Sequence, residues 1–317
     1  MAYTQGVTAA MSSQGTVWRD IIEAAFNAHD NWDFVEEWTS GTQVHRIWRN
    51  RGSGLGANRI GTDFFVGLMR DTTALTTFRM YAFEMWDATA KRIIRPCGHA
   101  QAVSPPAANA NGSYGNETTG FSPSDVATYL YSSVDTTTGN TYTWALMVTR
   151  DYLNFYSWRN GAGQPTVITL GYWVDSLVTA FPDPVPLFQG QSTSFSSNTN
   201  AFIFSSRHPG RGGTSDNLNW QHVALNQGQY GGSIGSGVDM FHGGFVTPRV
   251  GILASGGGSS PQLYGRLRGV ARDMRMVQGA ISLPALDTLV IDGVTYVNTQ
   301  NFHQSSSPGI LVARDVA

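Results

Sequence analysis

The chain has 317 residues, of which 36 are glycine. Only 13% are charged, against a usual share of about 25%, and the formal net charge of −2 excludes a basic field that attracts nucleic acid non-specifically. The single cysteine, Cys97, excludes an intrachain disulfide and a multi-cysteine metal site.

The first predicted element is an amphipathic helix at residues 16–29. Its apolar side chains recur at helical spacing and share one face: Trp18, Ile21, Ile22, Ala25 and Phe26. After the helix the apolar period changes to two, which is typical of half-buried strands. Four strands are predicted, at 33–39, 43–50, 62–69 and 76–86. We expect residues 1–97 to fold as a domain of this helix and an antiparallel sheet.

Residues 98–124 are rich in proline and glycine and predict a linker or arm, because a loop of that length is usually functional or connects domains. Residues 125–317 are expected to form a C-terminal β domain. Its clearest hairpins are 141–149 with 152–158, and 286–291 with 294–298 around Asp292-Gly293, a dipeptide typical of tight hairpin turns. Region 189–247 predicts long glycine-rich loops. Shorter strands are predicted at 167–172, 202–205, 222–225 and 310–314.

The expected fold class is therefore mainly β with one N-terminal amphipathic helix, and with antiparallel sheets or a sandwich carrying long glycine-rich loops. No basic region followed by an apolar stretch opens the chain, which predicts no secretory signal. No apolar run reaches the roughly 18 residues of a transmembrane helix, which predicts no membrane span.

Candidate catalytic residues are present by type, but their surroundings do not suit catalysis. Ser233 lies in a Gly-x-Ser-x-Gly match, with Asp239 and His242 after it, yet the apolar strand and helix that such a nucleophile needs are missing. The only lysine, Lys91, follows no glycine loop, which excludes a P-loop. A metal site on His208, Asp216, His222, Asp239 and His242, and a carboxylate pair among Glu36, Glu37, Glu84 and Asp87, are weaker alternatives. We predict no catalytic, cofactor or metal site.

Two sets of residues are candidates for an interface. Tyr156, Trp158 and Trp173 lie on or soon after one predicted hairpin, which predicts an ordinary β core, a subunit interface or a platform for glycans. Arg266 and Arg268 flank Leu267 and share one strand face. This pair predicts either interchain ion pairs or a solvated face.

Several stretches resemble virion structural proteins of tailed bacteriophages. They are Trp18-Arg-Asp-Ile-Ile-Glu-Ala-Ala-Phe-Asn-Ala-His, Arg46-Ile-Trp-Arg-Asn-Arg-Gly, Tyr142-Thr-Trp-Ala-Leu-Met-Val-Thr-Arg-Asp-Tyr, Leu263-Tyr-Gly-Arg-Leu-Arg-Gly-Val, Leu286-Asp-Thr-Leu-Val-Ile-Asp-Gly-Val-Thr-Tyr-Val-Asn and Pro308-Gly-Ile-Leu-Val-Ala-Arg. The resemblance implies a component of the head, neck or tail that is built into a ring or symmetric array and needs no cofactor.

These observations predict a non-enzymatic structural subunit of a tailed-phage tail, baseplate or neck that acts through repeated protein–protein contacts. The expected partners are other virion proteins and copies of the same chain, and the expected location is the virion, made in the host cytoplasm and released by lysis. Capsid decoration and a glycan-binding module are the alternatives, followed by a hydrolase that uses Ser233 or a loop metal site.

Overall fold

The computed structural model describes fourteen segments of the chain. Their described residues form one helix and nineteen strands, which pair in antiparallel sheets. The predicted fold class, mainly β with a single helix near the N-terminus, is confirmed. The predicted arm 98–124 lies outside the described residues, as does most of the predicted loop region 189–247. The described segments are 2–11, 16–51, 63–73, 78–97, 132–134, 136–160, 166–176, 188–192, 201–205, 219–222, 249–255, 267–277, 286–299 and 309–314.

Six strands form one sheet, which we call the short sheet. Its order is β2-β3-β4-β5-β6, with β7 beside β5. The strands are β2 (Trp32–Ser40), β3 (Gln43–Asn50), β4 (Phe64–Asp71), β5 (Phe78–Asp87), β6 (Arg92–Cys97) and β7 (Ser132–Val134). The first four correspond to the predicted strands, and only Gly41 and Thr42 separate β2 from β3. β6 contains Pro96 and was not predicted.

Thirteen strands form the long sheet, in the order β1-β8-β9-β10-β12-β13-β14-β15-β16-β19-β18-β17, with β11 beside β16. They are β1 (Ala2–Val7), β8 (Tyr142–Val148), β9 (Tyr152–Arg159), β10 (Thr166–Gly171), β11 (Val174–Ser176), β12 (Phe188–Ser192), β13 (Ala201–Ser205), β14 (Asn219–His222), β15 (Arg249–Ser255), β16 (Leu267–Val277), β17 (Thr288–Ile291), β18 (Val294–Asn298) and β19 (Gly309–Ala313). Both predicted hairpins are present, as β8–β9 and β17–β18.

Region 189–247 holds a described strand that was not predicted, since β12 continues into it from Phe188. The strand predicted at 202–205 is present as β13. Of the strand predicted at 222–225, only His222 is described, at the end of β14 (Asn219–His222). Short polar strands of this kind carry little alternation of apolar residues, so the sequence pattern places them poorly.

The helix α1 (Thr16–Asn27) packs its apolar face against both sheets. Trp18 lies edge-to-face with Tyr142 of β8 and Phe155 of β9, at ring-centroid distances of 5.4 and 5.3 Å. Phe26, two turns further along, stacks on Trp32 of β2 at 4.0 Å. The helix therefore bridges the two sheets, and its amphipathic pattern has a partner on each side.

One hydrophobic core lies between the sheets and includes residues from both sides of the predicted boundary at 98–124. Val66 and Met80 of the short sheet belong to the same buried cluster as Leu146 and Ile168 of the long sheet. β1, from the predicted N-terminal domain, is hydrogen-bonded to β8. The boundary itself stays a prediction, but the described residues on its two sides share this core.

The long sheet also covers its own outer face. Leu286, which precedes β17, packs with Tyr3 against Ala145, Tyr156 and Val167, on the face of β8–β10 turned away from the main core. All six residues of β10 and the first six of β9 are buried. These strands are therefore central and buried on both faces.

The chain bends sharply between β10 and β11, and the bend requires glycine. Gly171 has φ +123, and a Cβ atom there would lie 2.4 Å from the backbone oxygen of Asp151. After the bend, β11 pairs with β16. Because β10 is also connected to β16 through the neighbouring strands β12–β15, the strands from β10 to β16 form a closed path through β11.

Within the described part of the chain, no helix is long and apolar enough to cross a membrane.

Candidate functional site

The three aromatic candidates do not form an exposed platform. Tyr156 and Trp173 are fully buried, and Trp158 is half-buried beside Tyr156. Burial raises the pKa of Tyr156 above its ordinary value, so the phenol is neutral at physiological pH. Since a sugar stacks on an exposed ring face, Tyr156 and Trp173 have no such face to offer in this fold.

The arginine pair lies at the limit of the described residues. Arg268 belongs to β16 by its backbone, whereas its side chain and Arg266 lie outside what the structure describes. Interchain ion pairs from these two residues stay a prediction. Two described arginines elsewhere form ion pairs within the chain: Arg46 lies 2.6 Å from Glu23, and Arg51 pairs with Asp33.

The carboxylates considered for glycoside hydrolysis make structural contacts. Glu36 accepts hydrogen bonds from the indole of Trp86 and the ammonium of Lys91. Its neighbour Glu37 pairs with Arg46 at 3.3 Å. The different partners of Glu36 and Glu37 agree with the prediction that adjacent strand residues face opposite ways. Asp87 accepts the backbone N–H groups of the turn that follows β5.

The serine and metal candidates fall outside the described residues. This applies to Ser233, Asp239, His242, His208 and Asp216, and only the backbone of His222 is described. Among the residues that the structure describes, no three metal-binding side chains come together.

One partly buried polar cluster was not predicted from the sequence. Arg272 of β16 pairs with Asp151 at 2.5 Å, and the hydroxyl of Tyr152 donates to Asp273 at 3.0 Å. Burial and the adjacent Asp273 carboxylate hold the pKa of Tyr152 well above its ordinary value. Asp273 has φ +58, and β16 changes partner there, from β11 to β19. The cluster therefore connects Asp151 and Tyr152, at the start of β9, to the position in β16 at which the neighbouring strand changes.

A second buried pair lies on the face of the short sheet opposite the main core. His45 and Tyr81 are fully buried, and the His45 Nδ1 atom lies 2.9 Å from the Tyr81 hydroxyl. The ring of Tyr81 lies over Gly67, where a Cβ atom would be 2.0 Å from Tyr81 Cζ. Both ionisable groups are enclosed, so neither is accessible to a substrate.

β1 forms an open edge of the long sheet. It pairs with β8 over six residues without a register shift, and within the described residues it has no other strand neighbour. The Thr8 N–H donates to the Tyr142 oxygen, and hydrogen bonding alternates along an antiparallel strand. The N–H and C=O groups of Tyr3, Gln5 and Val7 therefore point away from β8. Val7 is 63% exposed.

Unlike β1, the edge strands β2 and β17 carry features that oppose pairing with another strand. β2 has a register shift after Phe34 and carries Asp33, Glu36 and Glu37. β17 has only four residues, and Asp287 and Asp292 flank it. Bulges, charges and short length are the ordinary protections of a sheet edge. β1 has six uncharged residues, no proline and no bulge.

No protein-family model matches the chain, and no curated protein matches it significantly.

Proposed function

We propose that this chain is a non-enzymatic structural subunit of a tailed-phage virion, in the tail, baseplate or neck, and that it acts through repeated protein–protein contacts. Its partners are copies of itself and other virion proteins. It is made in the host cytoplasm and reaches the virion before release by lysis.

The observation that carries this proposal is the open edge at β1. An uncharged, regular strand with outward N–H and C=O groups favours pairing with another strand. Such an edge costs solubility unless a partner covers it, and Val7 adds an exposed apolar side chain. The resemblance to virion proteins supports an assembly partner as the reason for this edge.

The distribution of charge also supports a role in assembly. With only 13% charged residues, most of them arginine or acidic, the chain carries few groups that lose hydration when a partner covers them. Arginine is enriched and lysine depleted at protein–protein interfaces, and this chain has nineteen arginines and one lysine.

A conditional stop codon in the phage gene tests the proposal. Without the chain, infected cells should accumulate incomplete particles or separated heads and tails, visible by negative-stain electron microscopy. Re-expression of the wild-type chain should restore complete particles. Normal numbers of complete, infectious particles without the chain would overturn the proposed role.

Tryptophan fluorescence distinguishes the glycan-binding alternative. We expect a flat titration with common glycans, because the Trp173 ring is buried and Trp158 is half-buried. Saturable quenching by one sugar would instead favour a binding module. A matched Trp158→Phe variant would then test the most accessible of the three candidate rings.

A further inference from the structure

We propose that the β1 edge pairs with the β1 edge of a second copy of this chain, antiparallel and centred on Gln5. The inference rests on the proposed function and identifies one of its subunit contacts. The pairing joins two long sheets into one continuous sheet, in the order β8-β1-β1-β8 across a two-fold axis.

The backbone of β1 suits this pairing. Tyr3, Gln5 and Val7 are the three residues whose N–H and C=O groups point outward, and they are spaced evenly about Gln5. With the axis at Gln5, Tyr3 of each copy lies opposite Val7 of the other, and the two Gln5 residues face each other. Each outward N–H then meets an outward C=O, which gives about six interchain hydrogen bonds.

The side chains suit the same register. Tyr3 opposite Val7 is an aromatic pair with a β-branched residue, a favourable combination across strands. The pairing brings a tyrosine ring beside Val7, which is 63% exposed in the single chain. The Tyr3 hydroxyl donates to the Gln5 side-chain oxygen, so the Gln5 amide N–H groups are available to the facing Gln5 oxygen.

The absence of charged residues makes β1 a better site for self-pairing than β17, the other end strand of the long sheet. β17 has only four residues, and Asp287 and Asp292 flank it, so two paired β17 strands would bring four carboxylates close to one short interface. At β1 the described strand residues carry no charge. A second copy is therefore the occupant that the residues of β1 favour.

A proline at position 5 tests the contact without breaking the fold. The Gln5 N–H points away from β8, so Gln5→Pro removes an interchain donor but no bond within the long sheet. The matched control is Gln5→Thr, which keeps the N–H. A six-residue strand pair is smaller than a standard interface, so masses should be measured by light scattering from about 1 to 300 µM chain.

We expect the wild-type mass to rise with concentration to twice 34.3 kDa or a multiple of it. Gln5→Pro should weaken the association about tenfold or more, and Gln5→Thr should keep it. An unchanged association constant for Gln5→Pro, or a wild-type monomer throughout, would overturn the pairing. A wild-type monomer would direct attention to a strand from a different virion protein.

A charge exchange tests the two-fold register with folded protein in every sample. Gln5→Glu and Gln5→Lys each place like charges at the axis and should weaken self-association, whereas a mixture of the two should associate again. No recovery in the mixture would contradict the axis at Gln5.

The contact and the proposed function can fail separately. If self-association is absent while particles still require the chain, only the proposed contact is wrong. If particles do not require the chain, the proposed function fails independently.

Discussion

Burial strongly lowers the pKa of the His45 imidazole, so this residue links the fold to pH. Desolvation, with the Arg79 guanidinium nearby, lowers its pKa to about 3. In the unfolded chain the pKa is about 6.5. The unfolded state therefore binds a proton below that value while the folded state does not. The contribution of His45 to stability is fully present above pH 6.5 and is lost as the pH falls from about 6.5 towards 3.

Replacing His45 by Gln should remove this pH dependence. Between pH 7 and 5 we expect the wild type to lose about 2 kcal/mol more free energy of unfolding than His45→Gln. Urea unfolding at the two pH values measures the difference. His29→Gln is the control, because burial also lowers the pKa of His29 but its side chain is only half-buried. If the unfolding free energies of the wild type and His45→Gln changed equally with pH, His45 would not be the source of the pH dependence.

Gly67 is required by its contact with Tyr81. Gly67→Ala would place a Cβ atom 2.0 Å from Tyr81 Cζ, so the ring must move, and we expect a loss of about 2–4 kcal/mol in unfolding free energy. In a Tyr81→Ala background the same substitution should cost less than about 1 kcal/mol. An equal cost in both backgrounds would show that the ring is not the cause.

Gly41 provides a matched control for the Gly67 experiment. It has φ +56, and nothing lies within 4 Å of the position that a Cβ atom would take. Gly41→Ala should therefore cost only the backbone strain, about 1 kcal/mol. The comparison separates steric overlap from conformational preference.

At the level of elements, the helix α1 is the piece that joins the sheets. Its Trp18 ring is fully buried and contacts strands of the long sheet, while Phe26 contacts the short sheet. A substitution in the helix should therefore affect both sheets together.

Trp18→Ala should lower the unfolding free energy by about 3–5 kcal/mol, because it removes a large ring from a close-packed core. Asp20→Ala, on the exposed face of the same helix, should change it by less than about 0.5 kcal/mol. Far-UV and near-UV circular dichroism should give coincident transitions for Trp18→Ala. Two separate transitions would contradict a core shared by the two sheets.

The elements that could be predicted from the sequence are those with strong local patterns. Thr16–Asn27 has an apolar stripe, and the hairpin around Asp292-Gly293 has a dipeptide that accepts positive φ, observed at both residues. β1, with the sequence Ala-Tyr-Thr-Gln-Gly-Val, has little apolar alternation. Its pairing with β8, far along the chain, is what makes it a strand.

The candidate site could be predicted only in part for the same reason. The aromatic residues of β9 predicted a β core, a subunit interface or a glycan platform, and their spacing could not identify which residues cover the outer face. Leu286 lies 130 positions from Tyr156 in the sequence, and the two join one cluster only in the fold. The Tyr152–Asp273 hydrogen bond likewise joins residues 121 positions apart. Local spacing contains no information on such contacts.

At the level of the whole molecule, the long sheet accounts for both stability and the open edge. It contributes to the main core with β8–β10, returns through β16 and β19, and covers its own outer face near Leu286. β1 is an edge strand of this sheet, and the backbone N–H and C=O groups of Tyr3, Gln5 and Val7 point away from β8. The described part of the molecule thus combines a closed interior with an edge suited to strand pairing, which is consistent with the proposed role in assembly.

Quantitative mass spectrometry of gradient-purified, infectious particles tests the central claim most directly. A subunit of a symmetric virion structure should be present at a fixed copy number relative to the other structural proteins, and that number should not change with further purification. We predict such a constant, multiple copy number for this chain. Its loss from particles that keep full infectivity through purification would contradict a structural role in the virion.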